Sequence, residues 1–287
     1  MSLSFRTVLP NSPIAALHSL PMCAGPCCLH PATLWQRWWA RNEGIWLHAD
    51  WYCSRECFHD GLERRLEQAS LAAPRPAVAT NRMPLGLVLL SQGEISVSQL
   101  RRALQRQAEA ASGKIGEWLV ALGFASTQQV TAALAVQQGC LVFRPHEPQW
   151  LPAKLHWPEP LARRYRALPV YYSSAQSLLY VGFLEQVDRS FLLCIERMLL
   201  RRTQPCIVDT NTYNCQRELL VRTAERDAVE IRQRQTPVEM TRTIGNYAEQ
   251  VRADRCLLVR CGECLWARLE PARGAHLDLV FRLAASV

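Results

Sequence analysis

Two stretches of this sequence decide the fold of its central part. Residues 84–107 read PLGLVLLSQGEISVSQLRRALQRQ, and residues 114–137 read KIGEWLVALGFASTQQVTAALAVQ. Their glycine, apolar, serine and glutamine positions coincide when one stretch is shifted by 30 residues. Self-similarity at a fixed period is the signature of a repeated supersecondary unit, so the two stretches are interpreted as copies of one motif.

Each copy predicts a helical hairpin. In the first copy a short apolar run stops before Gly93, and glycine favours the left-handed backbone that ends a helix. Ser96 and Gln99 then have the spacing of a capping box that opens a second helix. The second copy repeats these positions as Gly123, Ser126 and Gln129. Two such hairpins predict a four-helix arrangement.

Gly86 and Gly116 stand at equivalent positions in the first helix of each copy. Glycine inside a helix costs about 1 kcal/mol relative to alanine. Its recurrence therefore indicates that something approaches the backbone closely, either a ligand or a neighbouring helix.

The composition favours a folded protein of more than one domain. The chain has 287 residues, of which 49% are apolar and 20% are charged. The first 20 residues contain no apolar run typical of an export signal, and no stretch approaches the roughly 18–20 apolar residues that span a bilayer. We therefore expect a cytoplasmic location, where cysteines are more often metal ligands or buried residues than disulfides.

The sequence lacks the motifs of several enzyme classes. It contains no G-x-x-x-x-G-K-[ST] phosphate loop, no G-x-G-x-x-G, no G-x-S-x-G and no H-E-x-x-H. We expect no catalytic residues and no enzymatic activity. The net charge of +8 is spread along the chain in arginine pairs, which is typical of solvated helix faces. A zinc-finger nucleic-acid binder is a remote alternative.

Five of the twelve cysteines lie within residues 21–70. The pairs Cys23/Cys27 and Cys53/Cys57 each enclose three residues, and about 25 residues separate the pairs. This spacing predicts a tetrahedral zinc site with four thiolate ligands, and Cys28 is an alternative to Cys27. Four protein ligands leave no open coordination position, so the expected role of the metal is structural.

The residues around the cysteines predict a small treble-clef-like zinc module. Residues 44–52 alternate like a strand or hairpin, and residues 57–70 have the apolar spacing of a helix. Three histidines offer alternatives to one thiolate: His30, His48 and His59. The other interpretation is that these cysteines are unligated apolar residues.

The two copies resemble a motif of a known family. That motif opens with Arg-Leu-Gly, has a second glycine seven positions later and ends Leu-x-x-x-Leu-x-x-Gln. It belongs to the N-terminal domain of type II secretion and type IV pilus assembly ATPases, the GspE N-terminal or MshE-like N-terminal domain. The resemblance implies a domain that binds cyclic di-GMP and contacts partner proteins of the secretion machinery.

The resemblance also implies a set of nucleotide contacts. The leading arginine of the motif is replaced by Pro84 in the first copy and by Lys114 in the second, and Arg82 is a candidate substitute. Lysine supplies a point charge and proline supplies none, whereas arginine offers a planar fork. The implied contact residues are Arg82, Leu85, Gly86, Gln107, Lys114, Ile115, Gly116 and Gln137.

The C-terminal half predicts a mixed architecture. Residues 144–222 alternate strand and helix patterns, which predicts a small α/β sandwich with a strand at 205–210 and Thr210 or Asn211 capping the helix that follows. Residues 223–287 predict a helix and antiparallel strands. Cys261 and Cys264 form a C-x-x-C at a hairpin turn, where buried thiols are a better interpretation than a redox motif.

The sequence therefore predicts an α+β multidomain protein. The expected segments are a tail (1–20), the zinc module (21–70), a linker (71–81), the tandem helical-hairpin repeat (82–143), the α/β subdomain (144–222) and the C-terminal helix and strands (223–287). The expected function is a non-catalytic adaptor or regulatory protein that binds a component of a secretion or pilus machine, without the ATPase core. A cyclic di-GMP receptor is the alternative.

Overall fold

The computed structural model describes residues 22–26, 28, 44–71, 82–144, 151–223 and 228–283. The predicted tail, Cys27 and nearly all of the predicted linker lie outside these ranges. The described chain is mixed α/β, with nine α-helices and two β-sheets. Contacts between Cα atoms divide it into two units. The first comprises the described parts of Met1–Ala73, Ile231–Leu258 and Trp266–Val287, and the second those of Pro74–Glu230 and Val259–Leu265.

The helices and strands are numbered here in chain order. The helices are α1 (Arg55–Leu71), α2 (Leu85–Ser91), α3 (Val97–Ala110), α4 (Ile115–Ala121), α5 (Thr127–Gln138), α6 (Glu159–Tyr165), α7 (Arg189–Leu199), α8 (Thr210–Thr223) and α9 (Pro237–Gln250). The strands are β1 (Ile45–Leu47), β2 (Asp50–Tyr52), β3 (Leu141–Val142), β4 (Ala167–Ser173), β5 (Leu178–Phe183), β6 (Arg202–Ile207), β7 (Ala228–Ile231), β8 (Ala253–Cys261), β9 (Cys264–Pro271) and β10 (Leu277–Arg282). No helix of the described ranges is long and apolar enough to cross a membrane.

The two sequence copies form helices α2–α3 and α4–α5 of the second unit. Both predicted capping boxes are confirmed: in each, the serine hydroxyl accepts a hydrogen bond from the backbone N–H of the glutamine at 3.2 Å, and the glutamine side chain accepts one from the serine N–H at 2.7 Å. Both glycine stops are confirmed as well, because Gly93 and Gly123 have φ values of +73° and +69°.

The copies pack crosswise. Helix α2 packs mainly against α5, and α3 packs mainly against α4, so the first helix of each copy contacts the second helix of the other. Leu89 and Leu119 occupy equivalent positions and are fully buried, as are Ala103 and Ala133. The small alanines let the helices approach each other closely, while the leucines fill the space between them.

A four-stranded sheet completes the second unit, in the order β3-β6-β5-β4. Strand β4 is antiparallel to β5, and β5, β6 and β3 are parallel. The predicted cap of α8 at Thr210 or Asn211 is wrong: Asp209 caps this helix, and its carboxylate accepts a hydrogen bond from the backbone N–H of Thr212 at 2.7 Å. The reason is that β6 ends at Ile207 instead of 210, which moves the start of the helix towards the N-terminus.

The strands of the first unit belong to a six-stranded sheet in the order β2-β1-β8-β9-β10-β7. The β1–β2 hairpin joins the sheet through a parallel pairing of Trp46 with Arg255 and of Leu47 with Cys256. This pairing places the cysteine-rich segment and the C-terminal strands, which the sequence presents as separate segments, in one compact unit.

Helix α1 covers this unit with the apolar face that its four-residue spacing predicts. Phe58, Leu62 and Leu66 are all buried, and α1 packs against α9. Cys261 and Cys264 flank the β8–β9 turn and are both buried, so the interpretation of the C-x-x-C as a turn with buried thiols is confirmed.

Candidate functional site

A cavity of about 640 Å³ lies in the second unit, between the second sequence copy and the loops that follow β5 and β6. Its walls are mainly apolar, and Ile115, Val120, Val130 and Leu134 supply the face that belongs to the second copy. Leu85 reaches it from the first copy. The volume falls within the range of sites that hold small organic ligands, about 300–1,000 Å³.

The rim of the cavity carries three charged side chains that pair with one another. Lys114, the N-cap residue of α4, forms a salt bridge with Glu185 in the loop after β5. Arg166, the left-handed residue that ends α6, forms a second salt bridge with the same carboxylate. The two cations of the rim therefore share one anion.

Two further carboxylates line the cavity, and both cap helices. Glu117 accepts a hydrogen bond from the backbone N–H of Lys114 at 3.1 Å, at the start of α4. Asp209 caps α8 through the N–H of Thr212. A carboxylate at a helix N-terminus is stabilised by the positive end of the helix dipole. These two groups thus hold the helix ends that shape the cavity.

The glutamines that close the two copies serve the scaffold. Gln107 donates a hydrogen bond from its side-chain amide to the carbonyl of Gly113 at 2.9 Å, just before the second copy begins. Gln137 donates one to the carbonyl of Met83 at 2.7 Å, just before the first copy begins. The end of each copy is thereby tied to the start of the other.

The remaining residues implied by the motif are divided between cavity and scaffold. A Cβ atom on Gly86 would lie 2.6 Å from Cδ1 of Leu100, so helix packing explains this glycine. Gly116 lines the cavity, and a Cβ there would lie 3.0 Å from Val130 and 3.1 Å from Leu85. The Arg82 guanidinium donates to the side-chain carbonyl of Gln138.

The structure therefore brings together half of the implied nucleotide contacts. Leu85, Lys114, Ile115 and Gly116 line the cavity. Within the described lining, the other four do not occur: Arg82, Gly86, Gln107 and Gln137. Sequence reasoning missed Arg166 and Glu185 entirely, because both enter the cavity from loops outside the motif and neither has a local sequence signal.

Equivalent positions of the two copies have different surroundings. Side chains that line the cavity in the second copy are exposed in the first copy. Leu87, Val97 and Leu104 are 46%, 58% and 49% exposed. Thirty residues later, the positions equivalent to these three line the cavity as Glu117, Thr127 and Leu134. In the second copy this face lies opposite the loops after β5 and β6. In the first copy it is an exposed apolar face.

The cysteine cluster lies in the first unit. The Sγ atoms of Cys23, Cys28, Cys53 and Cys57 are all within 4.8 Å of one another, and all four residues are partly buried. The structure thus places Cys28 in the cluster, while Cys27 lies outside the described residues. A tetrahedral zinc site with Zn–S bonds of about 2.3 Å has sulfur atoms about 3.8 Å apart, so this donor set fits zinc after a contraction of about 1 Å or less.

Backbone N–H groups point at the first of these sulfur atoms. The N–H groups of Gly25 and Cys53 each donate to Cys23 Sγ at 3.4 Å. Burial raises the pKa of the Cys23 thiol, but these donors outweigh burial and bring its pKa below the ordinary value. Gly25 leaves room for the cluster, since a Cβ there would lie 3.1 Å from Cys57 Sγ. Ser54 caps α1 by accepting a hydrogen bond from the Cys57 N–H at 3.3 Å.

The histidines considered as substitute ligands have other surroundings. His48 accepts a hydrogen bond from the backbone N–H of Leu258 at 3.0 Å through Nε2, and burial followed by the nearby Arg65 charge lowers its pKa. His59 packs against Gly245 of α9, where a Cβ would lie 2.1 Å from Nε2. His30 lies outside the described residues.

Comparisons with known proteins add two structural similarities. No protein-family model matches the sequence, and no curated protein matches it. One is the solved structure of MshE with cdg (cyclic di-GMP), whose sequence is 28% identical to this chain. The match covers 46% of this chain and 95% of the MshE chain, with a TM-score of 0.36. The N-terminal domain of XpsE is 14% identical, covers 47% of this chain and 91% of that one, and has a TM-score of 0.31. The chain is thus similar to the N-terminal domains of MshE and XpsE over slightly less than half of its length.

Proposed function

We propose that the protein is a non-catalytic adaptor that acts by binding another protein through its tandem repeat. The observation that supports this is the exposed apolar face of the first copy, formed by Leu87, Val97 and Leu104. Exposed apolar patches of this kind mark interaction sites on soluble proteins. The absence of phosphate-loop and hydrolase motifs from the sequence is consistent with a role without catalysis.

The chemistry of this face selects an apolar partner segment that carries acidic residues. Val97, Arg101 and Leu104 follow one another at helical spacing on α3, so an exposed arginine stands between two exposed apolar side chains. The family resemblance of the two copies suggests a component of a type II secretion or type IV pilus machine as the source of that segment. We propose that the complex forms in the cytoplasm.

The test is a capture experiment with matched variants. Tagged full-length chain is incubated with lysate of a bacterium that has such a machine, and captured proteins are identified by mass spectrometry. Leu87→Ser and Leu104→Ser should each lose a secretion or pilus component that the wild type captures. Leu193→Ser, on α7 and also 46% exposed, should retain it. Equal capture by all variants contradicts the proposal.

A second candidate function is supported by the cavity. Its volume and its position at Lys114, Ile115 and Gly116 agree with a nucleotide ligand, and the resemblance of the motif suggests cyclic di-GMP. Titration calorimetry with cyclic di-GMP tests this candidate. Saturable binding that is lost in Ile115→Asp supports it, and no heat at high micromolar concentration contradicts it.

We also propose that zinc is a structural cofactor of the first unit. Cys23, Cys28, Cys53 and Cys57 would hold it, and a closed set of four thiolates leaves no position for a substrate. The ion would cross-link the turn around Gly25 to the start of α1. A module of about fifty residues gains much of its stability from such a cross-link.

A further inference from the structure

Glu185 is one of the cavity residues that lie outside the tandem motif. Its carboxylate pairs with both Lys114 and Arg166. Its side chain is 27% exposed, whereas those of Lys114 and Arg166 are 58% and 54% exposed. The anion is therefore the most enclosed member of this triad.

The position of Glu185 determines which charges the cavity offers to a ligand. Lys114 and Arg166 are the two cations on its described rim, and each already has a carboxylate partner. The other carboxylates of the rim, Glu117 and Asp209, are held at helix N-termini. A phosphate that pairs with either cation must displace Glu185 or bind beside a like charge, and both are unfavourable.

We propose that Glu185 occupies the place of a ligand phosphate and so determines the charge selectivity of this cavity. The cavity binds phosphodiester ligands more weakly than it would without this carboxylate, and Glu185 is a specificity-determining residue. The penalty acts on the phosphate and leaves a neutral nucleoside unaffected. This inference rests on the cavity as a nucleotide site, the second function proposed above.

Calorimetry with two ligands tests the charge effect. Full-length wild type, Glu185→Gln and Glu185→Ala are titrated with cyclic di-GMP and with guanosine, which has no phosphate. Glu218→Gln removes the same charge from an exposed position on α8 and is the matched control. Both Glu185 variants should bind cyclic di-GMP about tenfold or more tightly than the wild type does, because a like charge is removed from the site. Guanosine affinity should be equal in all four proteins.

Four results would overturn the inference, and they are distinguishable. Equal tightening for cyclic di-GMP and guanosine shows that the substitution merely opened the cavity. Tight binding of cyclic di-GMP by the wild type, unchanged in both Glu185 variants, keeps the receptor function but refutes the role of Glu185. No binding by any of the proteins refutes the nucleotide site itself. Adding Arg166→Ala to Glu185→Gln should abolish the gain, and a retained gain likewise contradicts the inference.

Discussion

We predict that Cys28 is the fourth metal ligand, because its Sγ atom lies in the cysteine cluster, and a pair of serine substitutions tests this choice against Cys27. Cys28 Sγ lies 3.4 Å from Cys53 Sγ and within 4.8 Å of the other two sulfur atoms. Because this set is complete without Cys27, Cys27→Ser should keep one zinc ion per chain. Cys28→Ser should lose it, since a serine hydroxyl is a poor zinc ligand.

The size of the loss follows from the energetics of structural zinc. Such sites bind with about 10–16 kcal/mol in total, so one ligand of four contributes about 2.5–4 kcal/mol if the contributions are equal. Cys28→Ser should therefore weaken zinc binding by about a hundredfold to a thousandfold. Dialysis against a chelator of intermediate affinity, followed by elemental analysis, separates the two variants.

Hydrogen exchange shows whether the metal also holds the surrounding structure. Ala24 donates a backbone hydrogen bond to the carbonyl of Trp51 at 2.8 Å, which ties the cysteine turn to β2. Loss of zinc should speed exchange in β1 and β2 and leave α2–α5 unchanged. The reasoning is refuted if Cys28→Ser retains zinc like the wild type, or if Cys27→Ser is the variant that loses it.

Three further predictions concern stability. Gln137→Ala removes the hydrogen bond to the Met83 carbonyl, and Gln107→Ala removes the equivalent bond to the Gly113 carbonyl. Each variant should lower the free energy of unfolding of the second unit by about 1 kcal/mol, measured by urea titration. Asp278→Asn removes the carboxylate that pairs with the buried Arg268 guanidinium and should cost about 3–5 kcal/mol, measured by hydrogen exchange of β9 and β10 in urea. A loss below about 1 kcal/mol contradicts this prediction. Burial raises the pKa of Asp278, but Arg268 outweighs burial and brings it below its usual range. The stabilising contribution of the pair is therefore complete above about pH 4 and is lost as the pH falls further, so Asp278→Asn should show a weaker decline of stability in acid.

Local signals in the sequence predicted the helices of the repeat correctly. Ser96 and Gln99 make their capping bonds within a single turn of chain, and Gly93 adopts its left-handed conformation because glycine tolerates it. Such features depend on neighbouring residues only. The spacing of Phe58, Leu62 and Leu66 likewise predicts the buried face of α1.

Long-range pairings could not be predicted in this way. Strand β1 pairs with β8 more than 200 residues later, and no residue in either strand identifies its partner. Glu185 joins Lys114 across 71 positions of the sequence. The hydrogen bonds of Gln107 and Gln137 could not be predicted for the same reason, because each side chain bonds to the start of the other copy. A motif shows that a residue recurs, but it does not show whether the fold or a ligand uses that residue.

The two copies are alike in the residues that the fold uses and differ in the residues that are available to a ligand or partner. Both keep the residues that tie them together, since Gln107 and Gln137 make equivalent hydrogen bonds and Ala103 and Ala133 are equally buried. They differ on the outward face, where the first copy exposes apolar side chains and the second copy lines a cavity. Packing constrains the shared residues in both copies alike, whereas only the outward face is free to serve a different partner in each. This asymmetry is the reason we propose that both copies bind through that face, the first a protein partner and the second a small ligand.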